Sequence, residues 1–230
     1  TAFSNDASAT GIGDIDSSGK VNVDAGFSII TMTNTGNDDA VAHGLSKVPE
    51  LVIVKERAPG TGSWYVETTV IDGSLDYLLL ESTAAKGNLG YAANLTATTF
   101  PSMQIGVGDT QVAYCFHSVD GYSKVGSYTG NGSSDGTFVY TGFRVAYVLV
   151  KSSTSAQDWE VHDAGRNPYN EVNARLEPNL SAAEETAYNK CDFLANGFKL
   201  RASQDSSNQS GQKFIYLAFA DQPFKHSNAR

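Results

Sequence analysis

The chain has 230 residues, a formal net charge of −9, and is 40% hydrophobic, 10% aromatic and 18% charged. That apolar content can bury a core in one large or two small domains, while the acidic balance argues against nucleic-acid partners, which need a basic stripe to displace counterions. Twenty-two Gly, only two Met and no apolar run near the ~20 residues that span a bilayer argue for short strands and tight turns and against membrane insertion.

In chain order, residues 1–25 are polar and Gly-rich, and are read as an extended N-terminal arm or connector. A start at Thr1 without Met is read as a fragment or processed product. Strands are predicted at Phe27–Thr33, Leu51–Lys55, Trp64–Val70, Tyr77–Leu80, Phe100–Val107 and Gln111–Phe116, where β-branched and aromatic residues lie between Gly, Asp, Ser or Pro. A second set is predicted at Phe138–Tyr140, Ala146–Lys151, Trp159–His162, Phe193–Leu200 and Lys213–Phe219. Ser181–Ala187 reads as one helical turn, with Ser181 and Glu184 spaced as a capping box.

The two sets echo each other. Thr35-Gly-Asn37, Leu51–Lys55, Trp64–Val66 and Val112–Phe116 return as Thr129-Gly-Asn131, Tyr147–Lys151, Trp159–Val161 and Ile215–Phe219, an offset of about 95 residues, the size of a small β-domain. The expected fold is all-β: two tandem antiparallel β-sandwich or jelly-roll-like units related by internal duplication, one over 26–120 and the other over 121–230.

Few residues suggest chemistry. Asp14-Ile-Asp16-Ser-Ser18-Gly19 imitates the opening of a calcium loop, but Ala25 falls where a bidentate carboxylate is needed, so a turn is expected. Gly130–Gly136 lacks the Lys-Ser/Thr pair of a phosphate loop and reads as a hairpin turn. His43, His117, His162 and His226 have no metal-ligand spacing, so neither a metal nor a cofactor is called for. Cys115 and Cys191 make no disulfide framework. Glu67, Asp72, Asp158, Glu160 and Asp163 are the carboxylates a glycan-cleaving pair would draw on, and are read first as strand-face charges. Trp64 and Trp159, at matching places, are expected to fill matching cores, whereas Tyr91, Tyr169 and Tyr188, in turn-rich segments without counterparts, are the candidates to stack on a sugar.

Several long blocks resemble a family of tailed-phage and prophage virion proteins. They include His43–Lys55, Gly121–Gly132, Asp135–Arg144, Phe193–Arg201 and the closing Phe219–Lys225 with Ser227–Arg230, and the resemblance spans roughly residues 26–230. The segment between Glu81 and Val112 is shorter than the family's usual one. The resemblance implies a non-enzymatic component at the virion surface, the distal part of a tail fibre or similar appendage, with Arg230 as the natural end of a longer chain. It implies a host-surface glycan or receptor and other virion proteins as partners, and a homo-oligomer, a trimer above all, whose weak sites add by avidity. A capsid decoration or tail-assembly subunit and a polysaccharide depolymerase are the other functions it leaves open.

Overall fold

A computed structural model describes residues 1–36, 38–91, 94–187, 191–203 and 206–222. The chain is all-β, built from antiparallel sheets, and divides into two compact units. The first comprises 1–79 and 87–117; the second comprises 80–86 and everything from 118 onward.

Unit 1 contains β1 (Ala2–Asn5), α1 (Ala7–Thr10), β2 (Ser17–Asn22), β3 (Phe27–Thr33), β4 (Ala40–Ala42), β5 (Leu51–Ala58), β6 (Trp64–Thr68), β7 (Asp76–Leu79), β8 (Gly87–Asn88), β9 (Thr99–Pro101) and β10 (Thr110–Phe116). Eight strands form one sheet in the order β1-β2-β3-β10-β5-β6-β7-β8, and β4 pairs with β9 separately. Period-two alternation gives the sheet a core face, where Ile30, Met32, Val52, Val54, Ala113 and Cys115 pack with Val41 of β4, Phe100 of β9 and Leu45. Each fully buried large side chain there contributes about 1.5–3 kcal/mol over its exposed state.

Residues 1–25 are not a free arm. They supply β1 and β2, which extend the sheet beyond β3, and α1, capped by the Asp6 carboxylate accepting from Ala9 N at 3.0 Å. Gly19 permits this pairing, since a Cβ there would lie 1.8 Å from the Ile29 carbonyl oxygen. The calcium-like segment runs from a turn into this strand: Asp14 accepts from Ala40 N at 2.8 Å and Asp16 from Ala7 N at 2.9 Å.

Unit 2 contains β11 (Ser123–Thr129), β12 (Phe138–Tyr140), β13 (Val145–Ser152), β14 (Glu160–Asp163), β15 (Cys191–Leu194), β16 (Gly197–Leu200) and β17 (Lys213–Ala220). One sheet has the order β11-β17-β13-β14 and the other β12-β16-β15. The stretch 130–136, expected as a hairpin turn, instead links β11 to a strand of the other sheet. Tyr128, Val148, Val150, Phe214 and Tyr216 pack with Phe193, Phe198 and Leu200 between the two layers. Tyr128 stacks on Phe214 at 5.1 Å and donates its hydroxyl to Ser207 O at 2.6 Å. Both thiols are free and buried, one in each core.

Unit 1 has the order β3-β10-β5-β6 and unit 2 the order β11-β17-β13-β14, so the strands that carry the sequence echo, β10, β5 and β6 against β17, β13 and β14, stand in the same order. The matching is not complete. No strand among the described residues extends unit 2 beyond β11, where Ser118 and Val119 fold back instead, bonding Val125 N at 3.0 Å and Ser123 N at 3.0 Å. Trp159 is 1% exposed, as a core residue should be, whereas Trp64 is half-buried, with Tyr114 at 6.5 Å and the Lys55 ammonium 6.0 Å from its ring.

The expected helical turn at Ser181–Ala187 is absent. Glu185 instead bridges to Arg175 through two backbone hydrogen bonds, 2.9 and 3.1 Å, and the Arg175 guanidinium reaches the Glu185 carboxylate at 2.6 Å. A single helical turn is costly to nucleate, so a backbone pair backed by an ion pair prevails over a capping signal.

Candidate functional site: the Tyr169 loop of unit 2

The 24 residues 164–187 follow β14 and form a loop tied down at several points. Arg166 anchors its start: Nε bonds the Asp163 carboxylate at 2.6 Å, Nη1 the Glu184 carboxylate at 2.8 Å and Nη2 the Val161 carbonyl at 3.1 Å. Partial burial works against ionisation of Asp163, yet the bonds from Arg166 hold its pKa below the ordinary carboxylate value. Arg175 anchors the return path, bonding Glu160 at 2.7 Å with Glu177 at 3.2 Å and Glu185 at 2.6 Å. Asn179 bridges Asp158 at 2.7 Å and Trp159 N at 2.9 Å.

Between these anchors lies Tyr169. Its neighbour Asn170 is clamped by its side chain, which donates to Phe193 O at 3.0 Å and accepts from Phe193 N at 2.9 Å, the pattern of a strand partner supplied by an amide group. Asn167 donates to Asn173 at 3.3 Å and accepts from Ala174 N at 2.6 Å, closing the loop on the other side. Tyr169 is 83% exposed, the highest value among the large hydrophobic residues described, and among the described residues no ring contact or hydrogen bond engages it. Tyr140 on β12, 59% exposed, differs in that the Lys124 ammonium lies 5.4 Å from its ring. The loop backbone that carries this ring is already anchored, so a ligand that covers the ring meets the ordering cost of the side chain but little from the loop.

The other sequence candidates fall elsewhere. Tyr91 packs against the unit 1 core, and its hydroxyl accepts from Gln104 N at 3.1 Å; burial pushes its pKa up. Tyr188 lies outside the described residues. The five carboxylates are not brought to one groove. Glu67 is wholly buried in unit 1, and Asp72 accepts from Ser74 N and Oγ at 3.0 and 2.6 Å in a turn. Asp158, Glu160 and Asp163 share one strand region but each holds part of the loop. Among the described residues no group of three His, Cys, Asp or Glu side chains is arranged to hold a metal ion, and no helix is long and apolar enough to cross a membrane.

Arg166, Asn167 and Asn170, which position Tyr169, were not singled out from the sequence. The Asn-rich stretch Asn167-Pro-Tyr-Asn170 was the available signal, since Asn side chains readily replace backbone partners in turns.

A family model described as a domain of unknown function, DUF7483, matches residues 2–223. No curated protein and no solved structure matches the chain.

Proposed function

The chain belongs to the DUF7483 family, and we propose that it is a virion surface protein, the distal part of a phage tail fibre or similar appendage, that recognises a host-surface glycan without cleaving it. The observation that carries this reading is Tyr169, a ring presented to solvent on a loop fixed by Arg166 and Asn170. An exposed aromatic ring on an anchored loop suits the apolar face of a sugar, and the spare lone pairs of the carboxylates that hold the loop suit its hydroxyls. Weak single sites of this kind serve adhesion when copies are linked, which favours a homo-oligomer, and a trimer in a fibre. The reading that the two units are copies of one ancestral unit is supported by their shared strand order.

The test is binding of fluorescently labelled full chain to candidate host cells, before and after their surface polysaccharide is stripped, with Tyr169→Ala alongside. Saturable binding that is lost on stripping, and that falls about tenfold or more per site in the variant, is the expected result. The variant should keep the parent's folding stability to within about 0.5 kcal/mol, because the ring packs on nothing. Absence of binding to every plausible host would move the protein to a building block of the particle, and shortening of the polysaccharide would reveal a depolymerase.

A further inference from the structure

We infer that unit 1 carries a second ligand site, a hydroxyl-lined groove that binds a neutral saccharide of about disaccharide size through hydrogen bonds and without stacking.

The groove lies at one end of the unit 1 sheet, has a volume of about 540 Å³, inside the ~300–1,000 Å³ range of small-molecule sites, and joins Ser4, Ser18, Thr31 and Thr33 of the outward face to Ile15 and Met32 from the core side. Strand register assembles it. Ser4 of β1 lies opposite Ser18 of β2, and Ser18 lies opposite Thr31 of β3, which makes one row of hydroxyls across three strands. One step along β3 on the same face, Thr33 lies opposite Thr110 of β10 and starts a second row. The register shift at Thr110/Gln111 sets two residues of β5 against one of β10 and brings the Arg57 side chain to the groove wall. Asp6 and Asp16 close the other end.

A solvated Ser/Thr face is ordinary for an antiparallel sheet. Two features distinguish this one. A groove forms there, lined by residues of β1, β2, β3, β5 and β10 together, and the charged groups at its ends are only partly used. Arg57 makes no ion pair among the described residues. Asp16 spends one oxygen, Oδ1 accepting from Ala7 N at 2.9 Å, whereas the Asp6 carboxylate accepts from Ser8 Oγ at 2.7 Å, Ala9 N at 3.0 Å and the Ser8 N–H. Asp16 Oδ2 remains to accept from a ligand, the guanidinium remains to donate, and Ser4, Thr33 and Thr110 supply hydroxyls that do either, whereas Ser18 and Thr31 bond each other at 3.2 Å and Thr31 donates to Ser18 O at 3.0 Å, which leaves these two to accept.

That donor and acceptor set fits vicinal sugar hydroxyls. The electrostatics choose the neutral class: two carboxylates face one guanidinium, on a chain of net charge −9, so an acidic sugar or a phosphate is opposed by both the near and the far field. No aromatic side chain lines the groove, which sets its mode of recognition apart from that of the Tyr169 loop. The inference therefore stands whether or not Tyr169 contacts a glycan.

Saturation-transfer NMR and calorimetry on the full chain, with maltose, cellobiose, lactose and diacetylchitobiose as neutral probes and digalacturonate as the acidic one, test it. The expected result is saturable millimolar binding of at least one neutral probe in preference to digalacturonate. Arg57→Ala and Asp16→Asn should each weaken that binding about tenfold, the loss of one hydrogen bond to a charged group. Thr33→Val should weaken it less, and Tyr169→Ala should leave it unchanged. Arg57 is exposed, so its variant tests the site without a folding cost. No saturable binding by any neutral probe, preference for digalacturonate, or binding indifferent to both Arg57→Ala and Asp16→Asn would each overturn the inference. Loss of cell binding in Tyr169→Ala with saccharide binding intact separates this site from the one on unit 2.

Discussion

Glu67→Gln should make unit 1 more stable in mild alkali while changing little in mild acid. The side chain of Glu67 lies in a core-face row of the sheet, opposite Val52 of β5 and Tyr77 of β7. It is fully buried, and neither carboxyl oxygen has a hydrogen-bond partner. Burial alone pushes its pKa from 4.5 up to about 8. The unfolded chain thus releases this proton near pH 4.5 while the folded chain keeps it to about pH 8, so between those values the folded state binds one proton more. Stability falls as pH rises across that window, by about 1.4 kcal/mol per pH unit and about 5 kcal/mol in all, of which about 3 kcal/mol has accrued by pH 7. Gln keeps the shape and does not titrate. Urea unfolding at pH values from 4.5 to 9, followed through the indole N–H resonances of Trp64 in unit 1 and Trp159 in unit 2, reads the two units separately. Parent and variant should agree within about 1 kcal/mol at pH 5, and the variant should lead by about 4–5 kcal/mol at pH 8.5. Parallel profiles across the whole range would refute the reasoning, because they would mean that Glu67 ionises without cost.

Acid should weaken the same unit through His43. Buried with Nδ1 accepting from Leu45 N at 3.0 Å, it is held neutral to about pH 4 by burial, with His117 adding to the effect, so stability is lost as pH falls from 6.5 to 4, by about 3 kcal/mol. His43→Asn, whose amide oxygen can take the Leu45 N–H, should flatten that arm of a urea-measured pH profile; an unchanged slope would count against it. Lys151 in unit 2 has a response of the same sign at higher pH: buried, with Nζ donating to Ser152 O at 2.8 Å and Thr83 O at 3.2 Å, it has its pKa lowered to about 8 by burial. The unfolded chain holds the proton longer, so stability should rise by about 3 kcal/mol between pH 8 and 10.5, and Lys151→Met should abolish the rise in thermal or urea unfolding. Arg175→Met should cost about 3–5 kcal/mol by leaving the fully buried Glu160 uncompensated, and adding Glu160→Gln should recover most of the loss, a coupling that a double-mutant cycle measures.

Much of the β architecture was legible in the chain. Phe27–Thr33 and Gln111–Phe116 carry β-branched and aromatic residues bounded by turn signals, and they became strands within a residue of expectation because side chains of that kind pack well on a pleated surface. The echo between Lys55/Trp64 and Lys151/Trp159 marked two strand pairs, β5-β6 and β13-β14, that are neighbours in their sheets. An aromatic in a polar, turn-rich stretch was the signal for both Tyr169 and Tyr91, and only the fold separates them, leaving Tyr169 exposed and packing Tyr91 against the unit 1 core. What the chain could not declare was partnership at a distance. Residues 1–25 are strands only because β3 offers an edge for β2, and Gly19 is compatible only because the Ile29 carbonyl approaches it so closely. Glu184 and Glu185 look like the first turn of a helix until Arg166 and Arg175, about 10 to 20 residues earlier, claim them. Glu67 reads as a strand-face charge, and only the register that sets it beside Val52 and Tyr77 shows that its face is the buried one. The hydroxyl groove has the same origin: Thr31 and Thr33 alternate in sequence, but Ser4, Ser18 and Thr110 join them through cross-strand pairing and Arg57 through the register shift between β10 and β5. Local sequence determines which way each side chain of a strand points, whereas which strands become neighbours, and so which side chains share a surface, follows from the burial and hydrogen bonding of the whole chain.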